Sequence, residues 1–166
     1  MASNYGAPRQ TGWGNERPSA PPITISVTDI TLQNPIPVEL FAQIAQEKAQ
    51  KIFEAGGGKN GKKNKSTQLR KFYDELVMWS DKVHSNIKLE KDQKSESVRK
   101  ARYEQSAPFI RMMNAKVAYA CGREHVDECF EQMFSHLIRQ IVDAETLKHA
   151  KLFMEAFMGF YKAQEK

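Results

Sequence analysis

An all-α fold, a compact bundle of about five helices behind a Pro/Gly-rich N-terminal tail, is what this 166-residue sequence predicts. Three observations predict it. Apolar residues after Pro35 recur at spacings of three and four. Helix stops and starts punctuate that pattern. Nothing after residue 35 alternates as a strand would.

Residues 1–22 are rich in Gly, Pro, Ser and Asn, with Trp13 an isolated aromatic. Such a stretch buries too little apolar surface to offset its ordering entropy, so it reads as a disordered tail. Residues 23–27 alternate apolar and polar but have no second strand to pair with. They read as an extended arm lying on the domain or on a neighbouring subunit. The domain division is therefore 1–35 for tail and arm, and 36–166 for the helical bundle.

The first helix carries Leu40, Phe41, Ile44, Ala45, Ile52 and Phe53, with Lys48 the one polar interruption, and Gly56-Gly57-Gly58 ends it. A basic loop, 56–65, follows. The second helix starts at Ser66-Thr67, either of which can cap it, and carries Leu69, Phe72, Tyr73, Leu76, Trp79, Val83 and Ile87. Residues 88–97 read as a solvated connection. A helix is expected from near Glu96 to Gln105, where Pro108 breaks or restarts it. Phe109, Ile110, Met113, Val117 and Cys121 continue the face, and Gly122 is a stop. A fourth helix carries Val126, Phe130, Met133, Phe134, Leu137, Ile138 and Ile141. A fifth begins near Asp143 and carries Leu147, Ala150, Met154, Phe157, Met158 and Tyr161.

With 25 Lys and Arg against 20 Asp and Glu, the chain has a formal charge of +5, which favours partners bearing phosphate or carboxylate. No apolar run approaches membrane-spanning length, and the N-terminus lacks a basic-then-apolar signal, so the expected location is the cytoplasm. Cys121 and Cys129 are expected as free, half-buried thiols. A zinc site with His125 would need a fourth ligand, and none lies nearby. No cofactor or metal is implied. His84, His125, His136 and His149 are scattered, the acids alternate with lysines, and no catalytic set stands out.

Gly56, Gly61 and Lys62 fit the frame of a phosphate loop. Lys63 stands where Ser or Thr would hold magnesium, and a helix stands where a strand should precede the loop. The simpler use of the loop is anion binding. A helix N-terminus offers free N–H groups and partial positive charge. Lys65 lies just before the cap of the second helix, and Arg70 and Lys71 lie in its first turn, where cations oppose the helix dipole. That arrangement makes sense if a phosphate backbone covers the helix end. Its ordinary alternative is a solvated basic loop. Lys59, Lys62, Lys63, Lys65, Arg70 and Lys71 thus form one candidate RNA-binding group, and Arg111, Lys116 and Arg123 a second. Phe72, Tyr73 and Trp79 have the residue types that stack bases, but their spacing fits the buried face of a helix.

Three blocks carry a family resemblance. Lys65-Ser66-Thr67-Gln68-Leu69-Arg70-Lys71-Phe72-Tyr73 resembles the opening signature of the Csm small subunit of type III-A CRISPR effector complexes. Lys116 to Glu124 is similar to that family's Tyr-x-x-Gly-Arg block, and Phe153 to Tyr161 to its C-terminal aromatic helix. The resemblance implies a non-catalytic subunit of a ribonucleoprotein. Its partners would be guide RNA, target RNA, the large subunit, the backbone subunits and further copies of itself. Lys65, Arg70, Lys71, Lys116 and Arg123 match positions that contact phosphate in that family. The rival reading is a helical protein-interaction scaffold that does not touch nucleic acid.

Overall fold

The structure, a computed structural model, describes residues 23–85 and 93–166. The tail expected over 1–22, Ile87, and the start of the 88–97 connection lie outside them. The described residues form five α-helices: α1 (Ala45–Ala55), α2 (Ser66–His84), α3 (Gln93–Gly122), α4 (Glu128–Gln140) and α5 (Ala144–Gln164). A π-helical turn, Leu40–Ile44, leads into α1. The fold is all-α, with no strand among the described residues. Helix α5 packs along α1 and α2, while α3 packs along α4 and α2.

The core is where the helical spacing put it. Leu69, Leu76, Met113, Val117, Phe134, Leu137, Phe153 and Phe157 are buried. Aromatic rings run through it from α1 to α2. Phe53 meets Tyr161 edge-on at 5.7 Å, Phe157 and Phe130 lie 6.2 Å apart, and Phe72 sits 5.1 Å from Phe134. Phe72 is thus a packing residue and not a base-stacking one. Asp127 caps α4 by accepting from the Phe130 N–H, and Asp143 and Thr146 form a reciprocal capping box on α5.

One expectation is corrected. Pro108 neither breaks nor restarts a helix: α3 runs unbroken for 30 residues with Pro108 inside it. An interior proline costs roughly 3 kcal/mol. Here it faces solvent, and buried side chains hold the helix on both sides of it, Tyr103 and Ser106 before, Ile110 and Met113 after. Gly122 is the last residue of α3, the stop expected of it. The positive φ falls at Glu124, whose N–H donates to Cys121 O, while a Cβ on Gly122 would meet nothing.

The arm lies on the domain. Ile25, Ile30 and Leu32 are buried, and side chains from α4 and α5 take the place of a partner strand. Gln140 donates to Ile30 O at 2.7 Å and accepts from Leu32 N at 3.0 Å. His136 Nε2 reaches the same Ile30 carbonyl at 3.1 Å, and His149 Nδ1 reaches Leu32 O at 2.7 Å. A carbonyl oxygen only accepts, so each ring nitrogen carries the proton. Cys129 Sγ donates to Ile23 O at 3.1 Å.

Lys48 explains its own interruption of the apolar stripe. It is 2% exposed, and its ammonium meets Asp29 of the arm at 2.5 Å. Removing one partner leaves a buried charge alone, and such losses fall in the range of several kcal/mol. Asp29 is 37% exposed, so water softens the loss. Asp29→Ala is expected to lower stability by about 2–3 kcal/mol. Adding Lys48→Met should restore most of it, as read by denaturant unfolding. Equal loss in the single and double variants would show that the ion pair does not hold the arm.

Candidate nucleic-acid interface

The basic loop is folded tightly against the helices. Gly57 has φ +96°, and a Cβ on Gly61 would fall 1.9 Å from Gly56 O, so both positions need glycine. The chain doubles back at once after α1, and a short 3₁₀ turn, Gly58–Asn60, carries Lys59 outward.

Asn64 fixes where the loop ends. It is 1% exposed and adopts a left-handed φ of 56°, which asparagine tolerates better than most residues. Its side-chain amide donates to Ile52 O at 2.9 Å, a carbonyl in the last turn of α1 that also accepts from the Gly56 N–H. Its side-chain oxygen accepts from Asp127 N at 2.9 Å, and its own N–H donates to His125 O at 3.0 Å. Its carbonyl accepts from the Tyr161 hydroxyl at 2.5 Å. Burial pushes the Tyr161 phenol well above its ordinary pKa, so this donor stays protonated. One residue thus ties α1, the α3–α4 turn and α5 to the start of α2.

That knot brings most of the candidate cations to one corner. Lys62 and Lys65 are exposed on the loop, and Lys63 reaches across to Glu124 at 3.1 Å. The hydrogen bond and the charge of Glu124 push the Lys63 ammonium above its ordinary pKa. Arg123 is exposed beside Glu124 on the same turn. The side chains of Lys62, Lys65 and Arg123 make no ion pair among the described residues. Lys59, Lys63 and Lys65 line a cleft of about 140 Å³ floored by Phe53, Asn64 and Tyr161.

The remaining candidates are engaged. Arg70 pairs with Asp74 at 3.5 Å, and Lys71 donates to Gln68, both at the surface. Lys116 meets Glu75 across the α2–α3 seam at 2.7 Å. Arg111 lies apart from the corner and closes the C-terminal end of α4, donating to the carbonyls of Ile138, Arg139 and Ile141.

The start of α2 differs from the expectation in three ways. Neither Ser66 nor Thr67 caps it. Lys65 occupies the cap position and makes no side-chain capping bond. Because α2 begins at Ser66, Arg70 and Lys71 fall in its second turn, where they oppose the dipole less. An acidic side chain of the chain's own also stands by this helix end: Glu165, just past α5, lines the cleft together with Lys65. Burial raises its pKa, but Lys162 and the nearby Ser66 outweigh this and hold the carboxyl below its usual range. Lys162 donates to it at 2.6 Å.

Sequence reasoning missed Asn64 and Glu165. An Asn directly after a Gly/Lys loop signals a left-handed turn, but its partners are distant in sequence. Glu165 carries no sequence signal at all. The thiols have no reactive character: burial raises Cys121 and takes Cys129 up to about 11. Among the described residues no His, Cys, Asp and Glu group has metal-binding geometry. No helix among them is long and apolar enough to cross a membrane.

The knot has a checkable cost. Asn64→Ala strands the Asp127 N–H, leaves the Ile52 carbonyl with the Gly56 N–H alone and strains the backbone, so a loss of about 2–3 kcal/mol is expected. Asn64→Gly removes the strain alone and should lose about 1 kcal/mol less. Chemical denaturation measures both, and equal losses would mean that the left-handed geometry costs nothing.

No curated protein and no solved structure matches the chain. The family model described as Csm2 Type III-A matches residues 38–166, from the π-helical turn to the last residue. The match spans all five helices and the corner that Asn64 knots together, and by it the chain belongs to the Csm2 Type III-A family, the small subunit of the Csm complex.

Proposed function

We infer that this chain is a non-catalytic, RNA-binding subunit of a type III-A CRISPR ribonucleoprotein that holds guide and target RNA through phosphate contacts. The observation that carries this reading is the corner itself. Lys62, Lys65 and Arg123 stand exposed and without ion-pair partners among the described residues, on two segments fastened by Asn64. Lys59 and Lys63 flank them, and Lys71 adds a surface cation on α2, while Arg70 and Lys116 reach phosphate by exchanging their carboxylate partners Asp74 and Glu75. Lysine ammoniums on a rigid rim neutralise phosphates and carry no base code. Target choice then belongs to base pairing with the guide. Arg111, spent on the end of α4, is left out of this set.

A second observation favours protein contact beside RNA contact. Phe109, Met112 and Tyr119 are exposed along one side of α3, and Trp79 stacks on Phe109 at 5.5 Å. Such a strip suits docking to other subunits of the complex, among them the large subunit, the backbone subunits and further copies of this chain.

The test is charge reversal. Lys62→Glu, Lys65→Glu and Arg123→Glu together should leave thermal unfolding nearly unchanged, since all three are exposed. Target RNA capture by the assembled complex should fall roughly tenfold or more. Its salt slope should become shallower by about one for each phosphate no longer neutralised. Capture equal to the parent's by a folded, incorporated variant would leave the scaffold reading alone standing.

A further inference from the structure

Helix α3 carries two uncharged faces. Tyr103, Ile110, Met113 and Val117 are buried on one of them. On the opposite side Gln105, Pro108, Met112, Ala115, Tyr119 and Gly122 recur at spacings of three and four, and all six are exposed. That is the seam spacing of paired helices. The outer face of a solvated helix carries charged residues, whereas this seam carries none over about 25 Å. The two cations beside it are turned away. Arg111 donates to the carbonyls that end α4, and Lys116 meets Glu75 on α2.

We propose that a second copy of this chain covers the seam, its α3 running antiparallel across a two-fold axis that passes between Met112 and Ala115. The inference rests on reading this strip as a docking surface, and it names the occupant. The side-chain sizes along the seam select it. In that register Met112 meets Ala115 of the second copy, Tyr119 meets Pro108 and Gln105 meets Gly122. Each layer thus sets a larger side chain against a smaller one, which close packing requires. A parallel pair would set Met112 on Met112 and Tyr119 on Tyr119, and would leave Ala115 and Gly122 facing gaps. The contact uses the same patch on both copies, so it closes at two. Area sets its strength. Phe109 and Met112 are 49% exposed and Tyr119 is 68% exposed. With the small residues between them, the two faces together bury roughly 900 Å², short of the about 1,200 Å² at which stable interfaces begin. The pair is therefore weak in the free chain and holds where the complex raises the effective concentration of neighbouring copies. It sets the two basic corners at opposite ends of the paired helices.

The test uses the full chain. In sedimentation the parent should move toward dimer as its concentration rises to roughly 0.5 mM. Ala115→Glu, an exposed position whose new charge the pair would bury, should weaken that association about tenfold or more while thermal unfolding stays unchanged. Thiol pairing then reads the register. In a Cys121→Ser background, chains carrying Met112→Cys and chains carrying Ala115→Cys are mixed and oxidised. The crossed disulfide should outnumber either self-disulfide, because only the antiparallel register joins these two positions in one layer. Gln132→Cys, exposed on α4, sets the level of chance collision. A parent that stays monomeric, with crossed disulfides at the chance level both in the free chain and in the assembled complex, overturns the proposal. Self-disulfides in excess of the crossed one overturn it too. Crosslinking of the Met112→Cys thiol to a different subunit of the assembled complex overturns self-pairing and leaves the docking reading intact. Maleimide labelling of that thiol as fast in the complex as in the free chain overturns both.

Discussion

Asn64 is the residue on which the rest of the corner depends. It is buried, left-handed and bonded through every polar group it has, to segments that are remote in the chain. Its backbone geometry turns the basic loop into α2. Its side chain joins the end of α1 to the cap of α4. Tyr161 reaches it from α5. The three sequence blocks that resemble the Csm small subunit all meet at this point: one begins beside Asn64, one runs into the turn that accepts its N–H, and one ends with Tyr161. What unites them is a single hydrogen-bonded knot.

The fold was legible because helices announce themselves locally. Leu69, Phe72, Leu76 and Val83 repeat at helical spacing and are buried as that spacing requires. Lys48 looked like an error in the stripe and is instead buried against Asp29, a pairing that joins segments no local pattern links. Pro108 misled because its intrinsic cost is local, whereas the packing that carries α3 past it is tertiary. The arm was visible as extended chain, but its docking was not, because His136, Gln140 and His149 gave no hint that they would serve main-chain groups.

The candidate site was legible in part, for the same reason. The cations of the loop are contiguous and obvious in the sequence. Which of them stand free is a tertiary matter: Arg111 ends as a helix cap and Lys116 in a seam, while Lys62, Lys65 and Arg123 are exposed with no ion-pair partner among the described residues. The expectation of an anion over the start of α2 rested on the helix dipole, whereas Glu165, which lines the cleft beside Lys59, Lys63 and Lys65, is a neighbour that no local pattern announces.

The most direct measurement is RNA–protein crosslinking in the assembled complex, with crosslinked peptides located by mass spectrometry. The account expects crosslinks on peptides covering residues 59–71 and 116–123, the second of which runs into the turn that Asn64 bonds at His125 and Asp127. Crosslinks confined to the α1, α4 or arm surfaces, with none at that corner, would contradict it.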